Sequence, residues 1–227
     1  MHKILIWDFP TRLFHWLLVL NLGFQFVTAE ILDDAMQWHF YGGYSLLSLL
    51  IFRVLWGVFG ACYARFSEFL VGPKKALHYA KSLAFHDTPI HAGHNPMGAL
   101  AIIFILGVLF LQTISGLFIS DDIFHQGPYH SMAPLWLQNT ANWLHGNLFN
   151  AVWVFLIFHL GAMLFYKLEK QQNLVAAMFT GYKWLPYIVP HSKHMLWRAL
   201  LLACVSGVLV YLLVVYFAPD IIDDYYY

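Results

Sequence analysis

The chain has 227 residues, of which 60% are hydrophobic and 11% are charged, and its formal net charge is zero. This is less than half the charged fraction of an ordinary soluble domain, which is about 25%. The composition excludes a soluble domain and offers no basic excess for a nucleic-acid partner, and it indicates an integral membrane protein.

Five apolar segments are long enough to cross a bilayer. Each approaches the ~20 residues that a helix rising ~1.5 Å per residue needs to cross ~30 Å of hydrocarbon. Only a helix satisfies its own backbone hydrogen bonds in lipid, and an alternating barrel pattern is absent from the sequence. The predicted spans are residues 13–29, 39–60, 97–119, 143–166 and 196–218. The sequence therefore predicts an all-α membrane protein.

The basic residues predict the orientation of these spans. The first span follows the polar opening MHKILIWDFPTR and lacks a small-residue cleavage site, so we expect a retained helix. All twelve Lys and Arg lie near the N-terminus or around the connections that follow the second and fourth spans. By the positive-inside rule these parts are cytoplasmic, and five spans leave the C-terminus in the periplasm.

Four of the thirteen histidines lie in or at the mouths of the predicted spans: His15, His39, His145 and His159. An ionisable residue at membrane depth is costly and indicates a functional site. For each one alone, a neutral imidazole hydrogen-bonded to a neighbouring helix is the alternative. The predicted topology puts His15 with His159 near the inner surface and His39 with His145 near the outer surface.

The spacing of the two histidines in the fourth span allows one helix to serve both levels. Fourteen residues turn a helix through about 1400°, ~40° short of four turns, so His145 and His159 share a face and lie ~21 Å apart along the axis. Two imidazoles from facing helices at each depth match the axial ligands of six-coordinate haem iron. Zinc usually needs three or four protein ligands. The pattern predicts two haem b sites, with His15 and His159 as the inner pair and His39 and His145 as the outer pair.

Other residues on these helices also suit a haem site. Arg53 lies fourteen residues after His39, on the same helix face, and is a candidate to bind a propionate of the inner haem. Snorkelling of Arg53 to the interface is the alternative. Small residues beside the histidines would leave room for a flat macrocycle, although they are also common at helix contacts. These residues are Gly42, Gly43, Gly146 and Gly161.

The motifs around the histidines resemble those of the bacterial di-haem cytochrome b561 superfamily, most closely the hydrogenase-type branch. This superfamily includes the membrane cytochrome b subunits of nickel-iron hydrogenases and formate dehydrogenases. The motifs are WDFPTRLFHW, HFYGGYSLLSLLIFR, ARFSEFLVGP, GHNPMGAL, SGLFISDDIF and LHGNLFNAVWVFLIFH, between about residues 6 and 166. The resemblance places the four histidines on the family's haem-ligand positions. We expect a four-helix di-haem core over residues 1–166, a cytoplasmic loop over 167–195, and a fifth helix with a periplasmic tail over 196–227.

The resemblance implies a function in the bacterial inner membrane. Electrons would pass between the quinone pool and a periplasmic cytochrome c or hydrogenase-like subunit, in a homo- or hetero-oligomer. With histidine at both axial positions, Fe(III)/Fe(II) cycling is the expected chemistry. Acidic residues on the predicted outer side would steer a basic partner, or would only enforce topology. These are Asp33, Asp34, Asp121 and Asp122.

The resemblance also suggests where quinone binds. In a formate-dehydrogenase relative, quinone exchanges electrons beside the inner haem at the start of the third span, where this chain reads HNPMG. Asn95 is therefore a candidate hydrogen-bond donor to a quinone carbonyl, and His94 is a candidate proton relay. The alternative is that Asn95 and Pro96 merely begin and cap the helix.

Two other functions remain open at this stage. A superoxide:quinone oxidoreductase would use the same four histidines, and only activity separates it from an electron carrier. A non-redox metal-ion transporter would use the histidines as an ion path and would bind no haem.

Overall fold

The computed structural model describes residues 1–83, 89–121 and 125–219, and within them five helices are long and apolar enough to cross a membrane. Asp122 and the tail after residue 219 lie outside the described residues. The five are α1 (Phe9–Glu30), α2 (Met36–Phe59), α5 (Pro96–Gly116), α6 (Leu135–Leu168) and α8 (Leu196–Tyr211). Shorter helices are α3 (Phe66–Phe69), α4 (Pro73–Ser82) and α7 (Leu174–Thr180). A π-helical turn, Leu212–Tyr216, extends α8.

Local sequence signals set the starts of two spans. Asp8 caps α1, because its Oδ1 accepts a hydrogen bond from the Thr11 amide at 2.9 Å. Asn95 caps α5 in the same way through the amide of Gly98, at 2.7 Å. In both helices a proline lies in the first turn, where its missing N–H costs nothing.

The spans pack in a continuous series. α1 packs on α2, α2 on α5, and α5 on α6, while α8 packs on α2 and more lightly on α1. The central contact is made by buried aliphatic residues of α2, α5 and α6, among them Leu46, Leu50, Leu109 and Val152. A second cluster around the fully buried Trp56 receives Ala199 and Leu202 of α8. α8 therefore covers the side of α2 near its C-terminal end.

A two-stranded sheet closes one end of the bundle. β1 (His2–Leu5) pairs antiparallel with β2 (Tyr182–Leu185). Ile4, Ile6 and Trp7 pack there with Leu185 and Ala177 in a separate buried cluster. The pairing places the residues before the first span and those between the fourth and fifth spans at the same end, which we call the sheet end.

The longest helix begins earlier than the sequence predicted. α6 starts at Leu135, eight residues before the predicted span, and has 34 residues. At ~1.5 Å per residue it is ~51 Å long, well beyond the ~30 Å of a hydrocarbon core. The added turns carry Gln138 and Asn139, whose polarity hid them from a search for apolar runs.

Candidate haem sites

At the end of the bundle opposite the sheet, α2 and α6 bring His39 and His145 together. Their ring centroids are 6.1 Å apart and the ring planes are inclined at 75°. Two imidazoles that each place a nitrogen about 2 Å from a shared metal have ring centres roughly 6 Å apart. The pair therefore has the separation that a single axially ligated iron requires.

Backbone carbonyls fix both rings of this outer pair. Nδ1 of His39 lies 3.2 Å from the carbonyl oxygen of Gln25, and Nδ1 of His145 lies 3.0 Å from that of Gln112. The hydroxyls of Thr28 and Ser115 are next nearest, at 3.4 and 3.2 Å. Because a carbonyl can only accept, each Nδ1 carries the proton and each Nε2 keeps its lone pair for a metal, as in other histidine-ligated sites.

A cavity between α1, α2, α5 and α6 contains both histidines. Its surface is largely apolar, with Gln25, Glu30 and Gln112 among the polar residues that line it, and Gly43, Gly116 and Gly146 also line it. A Cβ at Gly146 would meet nothing within 4 Å, whereas one at Gly116 would lie 3.2 Å from Cε1 of His145. The donor pair, its fixed tautomers and the apolar cavity fit a flat, apolar, axially ligated group.

The inner pair lies toward the sheet end. The predicted pair consists of His15 of α1 and His159 of α6, and the pairing itself remains a prediction. Nδ1 of His15 is buried without a hydrogen bond, and His159 stacks on Phe155 with centroids 5.6 Å apart. Gly161, two residues after His159, has open space where a Cβ would be. The inner rings thus lack the carbonyl contacts that orient the outer pair.

The two levels suit haem better than a bare ion. Among the described residues, no three His, Cys, Asp or Glu side chains group closely enough to hold a metal ion by themselves. Two protein ligands at each level leave the remaining coordination positions to a ligand such as a porphyrin.

Two of the predicted accessory residues already have protein partners. Arg53 is 4% exposed, donates from Nη1 to the carbonyl of Ala64 at 3.2 Å, and lies over the Phe66 ring. Asn95 accepts from Gly98 and donates from Nδ2 to the Tyr166 hydroxyl at 2.7 Å. The propionate and quinone roles predicted for them remain predictions.

His94 lies in an aromatic pocket at the sheet end. Its ring is 4.5 Å from the rings of both Trp7 and Phe69, and its Nδ1 is buried without a hydrogen bond. Burial, together with the positive charges of Arg53 and Lys183, lowers the pKa of His94 to about 3. His94 is therefore neutral near pH 7.

Several site residues escaped the sequence analysis. Nζ of Lys183 donates to the carbonyls of residues 91, 92 and 93, which lead into α5, at 2.9–3.3 Å. Burial lowers the pKa of Lys183 to about 8. Tyr166 joins Asn95 to Tyr79, whose hydroxyl lies 3.0 Å from its own. These partners are 71 to 92 residues apart in sequence, and no local pattern pairs them.

The remaining predicted features lie at the end of the bundle opposite the sheet. Gly42 faces α1 rather than a cavity, because a Cβ there would come within 2.4 Å of Gln25 Oε1. Asp33 and Asp34 are exposed between α1 and α2. Asp121 is engaged with His125, at 3.2 Å between Oδ2 and Nδ1. Their role in steering a partner stays a prediction.

Comparison with known proteins identifies one family. The family model described as prokaryotic cytochrome b561 matches residues 6–181, a range that contains all four candidate haem ligands and most of the chain. No curated protein and no solved structure matches the chain.

Proposed function

Because the chain belongs to the prokaryotic cytochrome b561 family, we propose that it carries electrons between the quinone pool and a periplasmic redox partner through two bis-histidine b haems. Family membership and the five apolar helices show that the protein is a multi-pass membrane cytochrome b, whose function is haem-dependent transmembrane electron transfer.

The observation that carries the proposal is the facing pair of His39 and His145. Their 6.1 Å centroid separation and their carbonyl-bonded Nδ1 atoms prepare two Nε2 atoms for one iron. His15 and His159 would hold the second haem nearer the sheet end. When bound, haem supplies one-electron Fe(III)/Fe(II) chemistry. Histidine at both axial positions leaves no position for oxygen or substrate, which favours electron transfer.

The quinone end of the proposal rests on the start of α5. His94 has a buried Nδ1 without a hydrogen bond. The side-chain amide of the adjacent Asn95 donates to the Tyr166 hydroxyl. Lys183 holds the preceding loop in place through three carbonyls. A neutral imidazole with an unbonded Nδ1, next to an amide nitrogen that has a second N–H, supports binding of a quinone headgroup at this end of α5.

The experiment is a haem count with histidine variants. In purified protein we expect low-spin b-type difference spectra and two haems per chain by pyridine haemochrome assay. His145→Ala should lose one haem and leave the inner centre reducible by quinol, and His159→Ala should lose the other. His130→Ala is the matched control, since its Nδ1 bonds to the carbonyl of Phe118 in an outer loop. One haem per wild-type chain, or two retained in His159→Ala, would contradict the proposed pairing.

A further inference from the structure

Arg12 is a half-buried cation without a carboxylate partner among the described residues. It lies on α1, three residues before His15, and its Nη1 donates to the carbonyl of Phe179 in α7. Its Nε is buried and makes no hydrogen bond. No Asp or Glu among the described residues forms a salt bridge with Arg12. The protein therefore holds this guanidinium through Nη1 and leaves its Nε without an acceptor among the described residues.

Trp16 presents a second unpaired donor at the same place. It follows His15 directly, and its Nε1 is buried without an acceptor. Its ring stacks on Phe179 at 4.3 Å and meets His15 edge-on at 4.9 Å. Because Arg12 and Trp16 are four residues apart, they share a helix face. Phe179 contacts both of them, through its carbonyl and through its ring.

These two donors define an anion site beside the inner histidine pair. Buried N–H groups nearly always have an acceptor, so two unpaired ones on one helix face call for a ligand. A guanidinium edge together with an indole N–H suits a planar carboxylate. We propose that Arg12 and Trp16 bind a propionate carboxylate of the haem held by His15 and His159. This inference rests on the proposed function.

Arg53 is the residue that the sequence predicted to bind this propionate. Its charge is instead met by contacts within the protein. Its guanidinium donates to Ala64, lies over the Phe66 ring and is attracted by Asp8. Asp8 itself is held by the amide and hydroxyl of Thr11. Arg12 also lies over an aromatic ring, that of Phe9, but unlike Arg53 it has no carboxylate that attracts its charge and it keeps a buried Nε without an acceptor.

The test is a spectroscopic redox titration of Arg12→Gln, Arg12→Lys and Trp16→Phe in the full-length protein. A nearby cation favours the more electron-rich, reduced state of the haem. For Arg12→Gln we expect the reduced-to-oxidised ratio of the inner centre, at a fixed potential, to fall about tenfold, which is a ~59 mV lower midpoint. Trp16→Phe should lower the ratio about threefold, and Arg12→Lys should restore most of the loss. The outer centre should not change.

Two other arginines serve as controls. Arg198→Gln removes a cation that donates to the Phe59 carbonyl on the α8 side, and it should leave both midpoints unchanged. An inner midpoint that moves in Arg53→Gln but not in Arg12→Gln would overturn the proposal. So would two haems with unchanged midpoints in both Arg12→Gln and Trp16→Phe.

Haem loss is also informative. If Arg12→Gln loses the inner haem, the other two variants decide. Retention of that haem in Arg12→Lys, together with a lowered inner midpoint in Trp16→Phe, supports the site. An unchanged inner midpoint in Trp16→Phe overturns it. A wild-type protein without two b haems would instead refute the proposed function, so the two failures are distinguishable.

Discussion

The two histidine levels differ in what orients their rings. At the outer level, backbone carbonyls of α1 and α5 hold Nδ1 of His39 and His145. At the inner level, His15 meets Trp16 edge-on and His159 stacks on Phe155. Hydrogen bonds of this kind fix the tautomer and raise the basicity of a ligating nitrogen. The outer pair is therefore positioned by the backbone, and the inner pair by aromatic contacts.

A substitution at Gly146 tests whether haem occupies the cavity that contains His39 and His145. Gly146 lines the cavity, and nothing lies within 4 Å of a Cβ built there. Gly146→Leu should fill the cavity without a protein clash, so we expect loss of about one of two haems while the fold is kept. The measurement is haem per chain together with helicity by circular dichroism. Gly207→Leu in α8, where a Cβ also meets nothing, is the control and should retain both haems.

His94 should make folding stability sensitive to acid. Because burial lowers its pKa to about 3, the unfolded chain takes up a proton below about pH 6.5 while the folded protein does not. The stability that this residue contributes is full above about pH 6.5 and is lost as the pH falls toward 3, by up to ~1.4 kcal/mol per pH unit.

His94→Phe should flatten that slope in thermal unfolding curves recorded in detergent between pH 4 and 7. Phe69→Leu, which alters the same pocket without removing a titrating group, should lower stability at every pH and keep the wild-type slope. Equal slopes in wild type and His94→Phe would show that His94 is not buried as described.

At the scale of the helices, α1 and α2 approach closely at Gly42. A Cβ there would lie 2.4 Å from Gln25 Oε1 and 2.9 Å from the Phe24 ring, and Asn21 donates to the Gly42 carbonyl. Gly42→Leu should therefore overpack this contact and cost ~1–3 kcal/mol of unfolding free energy. Thermal unfolding measures it, with Gly23→Leu as the control, since a Cβ at Gly23 meets open space. Equal melting temperatures for the two variants would contradict this packing.

The sequence predicted the elements whose signal is local and missed those made by distant contacts. Five spans were found because twenty apolar residues are a sufficient signal for a membrane helix. The predicted topology also put His39 at the level of His145, and their ring centroids are 6.1 Å apart. The sheet was not predicted, because two four-residue strands about 180 residues apart carry no pattern of their own. Likewise, the contact of Arg53 with Ala64 depends on how the turn after α2 folds back.

At the scale of the whole molecule, the sheet constrains how the chain crosses the membrane. β1 precedes the first span and β2 follows the fourth, so both strands lie on one side only if the number of crossings between them is even. Four spans meet that condition. All twelve Lys and Arg lie near this end by sequence position, and by the positive-inside rule this distribution favours a cytoplasmic sheet end.

The fifth span should then carry the C-terminus across to the periplasm. Alkaline phosphatase fused after Tyr227 should be active and green fluorescent protein fused there should be dark, because the first matures outside the cytoplasm and the second inside it. Ending the chain at residue 195 removes α8, so both reporters should invert. An active phosphatase on the shortened chain would place the sheet in the periplasm and exchange the two histidine levels. The inner pair of His15 and His159 would then face the periplasmic partner instead of quinone.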